Sequence, residues 1–390
     1  MTADQLIVTG NTAHTQPENR LFFPALDGLR AVAFLLVFFT HYAALPWGFA
    51  GVNIFFVLSG FLITGILFDS RGDPCRARNF YIRRTLRIFP LYYGVFIVIL
   101  LTTPWMHWAW TWQWLAWPLY LGNFLRFLYP HLHNNAVMAF ADAHLMSKAH
   151  PGAELDLGHF WSLCVEEQFY LVWPWVVFAV RDRRKLMAIC TACIVCVPIA
   201  RTVAMTHLPQ ALVDGEVVLH ATPFRFDTLM VGALIALLYR GAHRDLMQRI
   251  AQVILLAGVL WLLWFEASLC VFGSFKYQDV VQRHPWLLSV VALFAGALML
   301  RTLVPGTVAY RIFRLRCLRW LGAVSYGAYV FHDIPHRLFL AFVTAHAPGH
   351  VHKLTALAGL GTTLLLSFVS YRFFESPILR LKDRLTLDRP

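Results

Sequence analysis

Charge is what this 390-residue sequence is short of: Asp, Glu, Lys and Arg make up 14% of it, against about 25% in an ordinary soluble domain. With 58% hydrophobic residues, 15% aromatics and a mean hydropathy of +0.58, one soluble core is excluded, because surface-to-volume scaling leaves too much surface that must be polar. Other absences narrow the classes further. No internal repeat, heptad run or low-complexity tract is visible, which speaks against the inverted repeats common in transporters. His131, His133, His144 and His150 are scattered among Asn, Ala and Pro without tight ligand spacing, so no metal is expected. Of seven cysteines, Cys190, Cys193 and Cys196 recur every third residue inside an apolar block and read as small packing residues along one helix side, not as a disulfide or cluster site. Residues 1–20 are polar and lack a basic start, an apolar core and a cleavage site, so no removable signal is expected.

What is present fits lipid. Apolar blocks run at about 27–45, 51–68, 84–103, 160–180, 186–203, 220–239, 250–270, 286–303, 320–342 and 353–373, each near the roughly 20 residues that a membrane helix needs. The fold expected is therefore all-α and polytopic, with about ten transmembrane helices. The net charge of +12 would suggest nucleic acid in a soluble protein. Here the basic residues sit between the blocks, so topology control is the better explanation. Arg71, Arg76, Arg78, Arg83, Arg84 and Arg87, residues 181–185, 240–249 and 311–319 all fall on one side only if 112–128 does not cross. Residues 104–128, with Trp105, Trp108, Trp110, Trp112, Trp114 and Trp117, are thus expected to be an interfacial or re-entrant element on the outer face, at headgroup depth or as a sugar-stacking platform. The expected plan is a cytoplasmic tail at 1–20, one membrane unit at 21–376 and a short basic cytoplasmic tail at 377–390, in the inner membrane.

Ionisable residues inside spans are costly and point to function. Arg30 and His41 are eleven positions apart, which places them on nearly one helix face and separates them by ~16 Å along the axis. Asp27 lies one turn from Arg30 and is placed to pair with it. His159, Ser162, Glu166 and Tyr170 line one narrow face, with Glu167 beside it. Ser325, Tyr329, His332 and His336 repeat the pattern in the ninth block, and Arg225 and Asp227 bring opposite charges to the sixth. Glu166 and Glu167 either orient His41, balance an arginine or form a structural ion pair. Arg83, Arg84 and Arg87 continue into the third block, beyond what topology alone needs, and guanidinium forks suit phosphate oxygens.

These segments resemble the acyltransferase-three family of integral membrane acyltransferases, O-acetylase-like proteins. The motifs that carry the resemblance are LDGLRAVAFLLVFFTH at 26–41, GVNIFFVLSGFLITGIL at 51–67, FYIRRTLRIFPLYY at 80–93, FWSLCVEEQFYLVWP at 160–174, FRFDTLMVGALIAL at 224–237, LGAVSYGAYVFH at 321–332 and FFESP at 373–377. They follow the family's order over about residues 20–380. The family's pattern of Arg, ten residues and His is met by Arg30 and His41, and its basic motif by Arg83, Arg84 and Arg87. Two departures stand out. Asn53 occupies a place where many relatives carry an acid, and no extracytoplasmic hydrolase-like domain follows the last block, so the membrane unit is expected to act alone or with a separate extracytoplasmic partner enzyme.

The resemblance implies transfer of an acyl group, usually acetyl from acetyl-CoA, to a hydroxyl of a cell-surface or exported carbohydrate. A glycosylated small molecule or antibiotic is the alternative acceptor, and a transporter without acyl transfer is the rival of another class. On the expected mechanism, Arg30, Arg83, Arg84 and Arg87 hold the phosphates of acyl-CoA and the pantetheine arm threads the polar interior towards His41. His41 acts as the base, or carries the acyl group covalently. Glu166 or Glu167 supports the imidazole. Tyr170, Arg225, Asp227, Tyr329 and His332 are the expected acceptor contacts. Membrane lipid is the surrounding partner, and no nucleic acid is expected.

Overall fold

The structure, a computed structural model, describes residues 23–43, 45, 47–125, 144–150, 153–209, 217–242, 244–272 and 284–386. The 1–20 tail and the expected outer-face residues His131 and His133 lie outside them. The described chain is nearly all helical. Its main helices are α1 (Pro24–Ala43), α2 (Ala50–Asp69), α3 (Arg76–Met106), α4 (Trp161–Ala179), α5 (Arg183–His207), α6 (Phe226–Tyr239), α7 (Arg244–Phe272), α8 (Leu287–Thr302), α9 (Arg316–Ala323), α10 (Ser325–Phe331), α11 (His336–His346) and α12 (Val351–Ser370). A hairpin of β1 (His144–Met146) and β2 (Glu154–Asp156) pairs antiparallel.

Six helical segments among the described residues are long and apolar enough to cross a membrane: Pro24–Ala43, Ala50–Asp69, Arg76–Met106, Arg183–His207, Arg244–Trp264 and Val351–Leu385. Helices α4, α6 and α8 occupy the fourth, sixth and eighth apolar blocks. The ninth block departs from the uninterrupted span expected at 320–342. It is divided into α9, α10 and α11, with a break over residues 332–335. Pro335 explains that break, since its ring disfavours helix in the preceding residue and removes a donor from the ladder. Residues 112–116 and 122–124 form 3-10 turns in place of a long helix. Trp108, Trp114 and Trp117 of this stretch are buried in protein, while Trp105 and Trp112 are exposed.

Helix α2 is apolar on all sides and packs against α1, α4, α6 and α8, as a helix without a polar face must. Its crossing with α6 depends on two glycines. A Cβ on Gly60 would lie 1.9 Å from the Leu229 carbonyl oxygen, and one on Gly232 would lie 2.0 Å from that of Val57. Small residues here let two backbones approach where lipid supplies no hydrophobic drive for helix association. At the end of α4, Arg71 donates to the carbonyls of Val177 (2.8 Å), Val180 (2.7 Å) and Arg181 (3.0 Å). An arginine that the charge pattern assigns to topology thus also satisfies the open carbonyls of a helix C-terminus.

Gly232→Val is expected to destabilise the bundle by about 1–3 kcal/mol or more, the range for overpacking, and to lower the unfolding temperature of detergent-purified protein. Gly72→Ala, where a Cβ meets nothing within 4 Å, is expected to leave it unchanged.

Candidate active site

The polar stripe of α4 faces a cavity of about 100 Å³ whose lining includes Arg30, Arg84, Arg87, Ser59, Ser162, Glu166, Glu167, Tyr170 and Tyr329. Helical spacing brings Ser162, Glu166 and Tyr170 to one face, i, i+4 and i+8. Across from them, Ser59 of α2 donates to Glu166 Oε1 at 2.5 Å and accepts from the Tyr170 hydroxyl at 3.1 Å. One carboxylate of the adjacent pair is therefore held by a two-hydroxyl chain. Glu167 Oε1 is shielded from solvent and has no hydrogen-bond partner among the described residues. Arg30 bonds Asp27 at 2.7 Å, the pairing read from their spacing. The Arg84 guanidinium lies 5.4 Å over the Tyr170 ring, close enough for cation–π attraction. Arg83 does not line this cavity.

His41 does not line it either. It sits in a second cluster built around Asp333, a carboxylate only 3% exposed. Asp333 Oδ2 is 3.1 Å from His41 Nδ1 and 3.8 Å from His159 Nδ1, while Oδ1 is 3.4 Å from His336 Nδ1. The His332 ring stands 5.0 Å from that of His41 and 4.7 Å from that of His159. Backbone carbonyls fix two of the tautomers, since a carbonyl can only accept. His159 Nε2 donates to Val330 at 3.1 Å and His332 Nδ1 to Tyr329 at 2.7 Å. His41 directs Nδ1 at Asp333, which leaves Nε2 as the lone-pair nitrogen of a neutral ring. Its side chain is 33% exposed, so it is the accessible member of the cluster.

Tyr329 and Ser162 touch both the cavity and the cluster. The Tyr329 hydroxyl lies 2.5 Å from Ser162 Oγ and donates to the His159 carbonyl at 3.1 Å. The cavity lined by the arginines thus does not reach His41, against the open thread expected, and Tyr329 and Ser162 border both the cavity and the histidine cluster.

The carboxylate beside His41 differs from the one the sequence suggests. Glu166 engages Ser59, and the partner of His41 is Asp333. The break before Pro335 explains this, because it carries Asp333 out of the helix and under α1. The signal was present in the sequence: a lone Asp within an apolar block, next to His332 and three residues before His336. Arg225 and Asp227 also separate. Asp227 pairs with Arg201 at 2.8 Å and accepts from Ser289 at 2.5 Å, and Arg201 further bonds the carbonyls of Phe224 and Pro285. Arg225 instead donates to Asn53 Oδ1 at 2.5 Å and lies over the rings of Phe56 and Trp161. Neither lines the cavity. Consecutive turns of a sequence do not say which neighbour each charge will find.

Among the described residues no group of three His, Cys, Asp or Glu is placed to hold a metal ion. A family model described as an acyltransferase domain matches residues 23–372. The chain belongs to the acyltransferase-three family. Similar family members are the peptidoglycan O-acetyltransferase OatA of Listeria monocytogenes, 29% identical over 383 residues that cover 92% of this chain and 56% of the relative, and the putative peptidoglycan O-acetyltransferase YrhL of Bacillus subtilis, 28% identical over 381 residues, 93% and 55%. The O-acetyltransferase OatA of Staphylococcus aureus is 27% identical over 372 residues, 92% and 57%. The chain spans a little over half the length of these relatives. No solved structure matches it.

Arg201 is fully buried, and removing one partner of a buried ion pair typically costs about 3–5 kcal/mol. Arg201→Ala is therefore expected to lower the unfolding temperature in detergent sharply, and Asp227→Asn less so, because an amide still accepts from Arg201 and Ser289.

Proposed function

We propose that this chain is a multi-pass O-acyltransferase of the inner membrane, crossing it with its ten apolar blocks and keeping both termini cytoplasmic, which moves an acetyl group from acetyl-CoA to a hydroxyl of a cell-envelope carbohydrate. The observation that carries the reading is the buried Asp333 carboxylate 3.1 Å from Nδ1 of the accessible His41. A carboxylate so placed holds an imidazole in the tautomer that accepts a proton at Nε2 and stabilises the cation that results. The names of the similar family members support a carbohydrate of the cell wall as acceptor.

The donor side rests on Arg30, Arg84 and Arg87, which converge on one cavity. Guanidinium groups match phosphate oxygens in pairs, so a nucleotide-bearing thioester fits these residues, while Arg83 lies outside the lining and serves at most its approach. Glu166 and Tyr170 keep the cavity polar through Ser59. In the transfer, the acceptor oxygen forms a bond to the acyl carbon and the carbon–sulfur bond breaks. The hydroxyl proton goes to His41 Nε2, and the thiolate that leaves takes a proton to become the free thiol. A thioester is already activated, so the chain has to supply a base and fixed geometry more than an electrophile. The Ser162–Tyr329 pair has to move aside for donor and base to meet.

With purified protein or membranes, acetyl-CoA and sonicated cell-wall glycan, release of free CoA tests this directly. His41→Ala is expected to abolish release, and Asp333→Asn to reduce kcat by about 10²–10⁴-fold, the usual worth of positioned acid–base catalysis. Arg84→Ala and Arg87→Ala are expected to raise the KM for acetyl-CoA. Full CoA release by His41→Ala overturns the reading.

A further inference from the structure

Tyr329 has a cavity on one flank and the histidine cluster on the other. With Phe55 and Ser162 it lines the space shared by Arg30, Arg84 and Arg87. Its ring centre is 5.7 Å from that of His159 and 5.4 Å from that of His332, the two imidazoles that back onto His41 and Asp333. Phe55 stands edge-on to it at 5.7 Å, and the hydroxyl is fixed by Ser162 and by the His159 carbonyl. The residue is 6% exposed and Ser162 is 4% exposed. The ring is therefore held in place by packing and by hydrogen bonds at the end of the cavity that looks towards His41.

We infer that Tyr329, backed by Phe55 and Ser162, sets the length of the acyl chain that the enzyme transfers. This rests on the proposed acyl-CoA reaction and adds the specificity of its donor. A thioester anchored by its phosphates at the arginines brings its acyl end to this wall. A two-carbon group needs only a small displacement of the ring to pass. Every further methylene must displace the ring and the Phe55 edge against a close-packed interior, and a fitted site discriminates a single methylene by about 10–200-fold. The wall thus selects for acetyl without any contact specific to the carbonyl. Nothing comparable is needed on the acceptor side, where His41 is accessible.

The test compares kcat/KM for acetyl-CoA and butyryl-CoA, read as CoA release with sonicated cell-wall glycan. The wild type is expected to favour acetyl by at least about tenfold. Tyr329→Ala is expected to shrink that preference by about tenfold or more, and Phe55→Ala, which opens the same wall from the other helix, to shrink it in the same direction. Tyr329→Phe keeps the ring and loses both hydroxyl contacts, so its donor preference should stay near that of the wild type while its turnover changes. A purely structural role for Tyr329 would lower both donors alike and leave the ratio untouched. CoA release with an unchanged ratio in both Tyr329→Ala and Phe55→Ala overturns the inference alone. No CoA release by the wild type with either donor overturns the proposed reaction, and the inference with it.

Discussion

A carboxylate cannot stay charged inside a membrane bundle unless donors surround it, and the imidazoles of His41 and His336 stand against the two oxygens of Asp333, with His159 further off. This requirement ties together segments that are distant in sequence. His41 comes from the end of α1, His159 from the turn that leads into α4, and His332 and His336 from either side of the break before Pro335. Each ring is fixed by a second contact, to a carbonyl or to another ring. Tyr42 adds a bond from its hydroxyl to the His332 carbonyl at 2.7 Å. The broken ninth block, which as a continuous helix would have kept Asp333 within its own ladder, is thus the local irregularity that makes the cluster.

The rest of the bundle gives that cluster a rigid frame. The glycine crossing of α2 and α6 sets Ser59 opposite Glu166, and so fixes one wall of the cavity. On the far side of α6, Arg201 is enclosed by Asp227 and two carbonyls and pins α5 to α6 and to the residues before α8. Buried charge therefore appears in two roles. Arg201 and Asp227 are closed off and matched. Arg30, Arg84 and Arg87 line a cavity, Arg30 with Asp27 as its ion-pair partner. A second buried network, of Gln168, Asn123 and Thr222, holds the Trp-rich stretch and the short turn at 222–224 against the back of α4. The two faces of α4 are thus divided between anchoring and lining.

Much of this was legible in the sequence, and what was not has physical reasons. The apolar blocks located the helices because lipid imposes a length and a composition. The three- and four-residue spacing placed Ser162, Glu166 and Tyr170 on one face because a helix has a fixed pitch. Asp27 and Arg30 paired because i and i+3 are neighbours on that surface. Tertiary partners were not legible in this way. Nothing local in the sequence says that Asp227 meets Arg201 instead of Arg225, and a lone Asp333 between His332 and His336 marks a polar site without saying that His41 is its partner. The ninth block misled because its apolar content reads as one span, while Pro335 and the short helices α9 and α10 divide it. The Trp-rich stretch misled in part, since composition gives amphipathic depth but not which rings a fold will enclose; Trp108, Trp114 and Trp117 are enclosed and Trp105 and Trp112 are not.

On the proposed reaction, the separation of cavity and cluster fits what each must exclude. An activated thioester held in a polar cavity has to be kept from water, because hydrolysis competes with transfer wherever water reaches the carbonyl. On that reaction the base that serves the acceptor has to be reachable, and the His41 side chain is 33% exposed. One continuous channel through the bundle would satisfy the second need and defeat the first. On the proposed reaction, a tyrosine that lines the cavity and whose hydroxyl is fixed by a serine and a backbone carbonyl is placed to meet both. On that reaction, such a contact opens at small cost when the donor is seated, and for the same reason it is the part of the site whose size decides what passes.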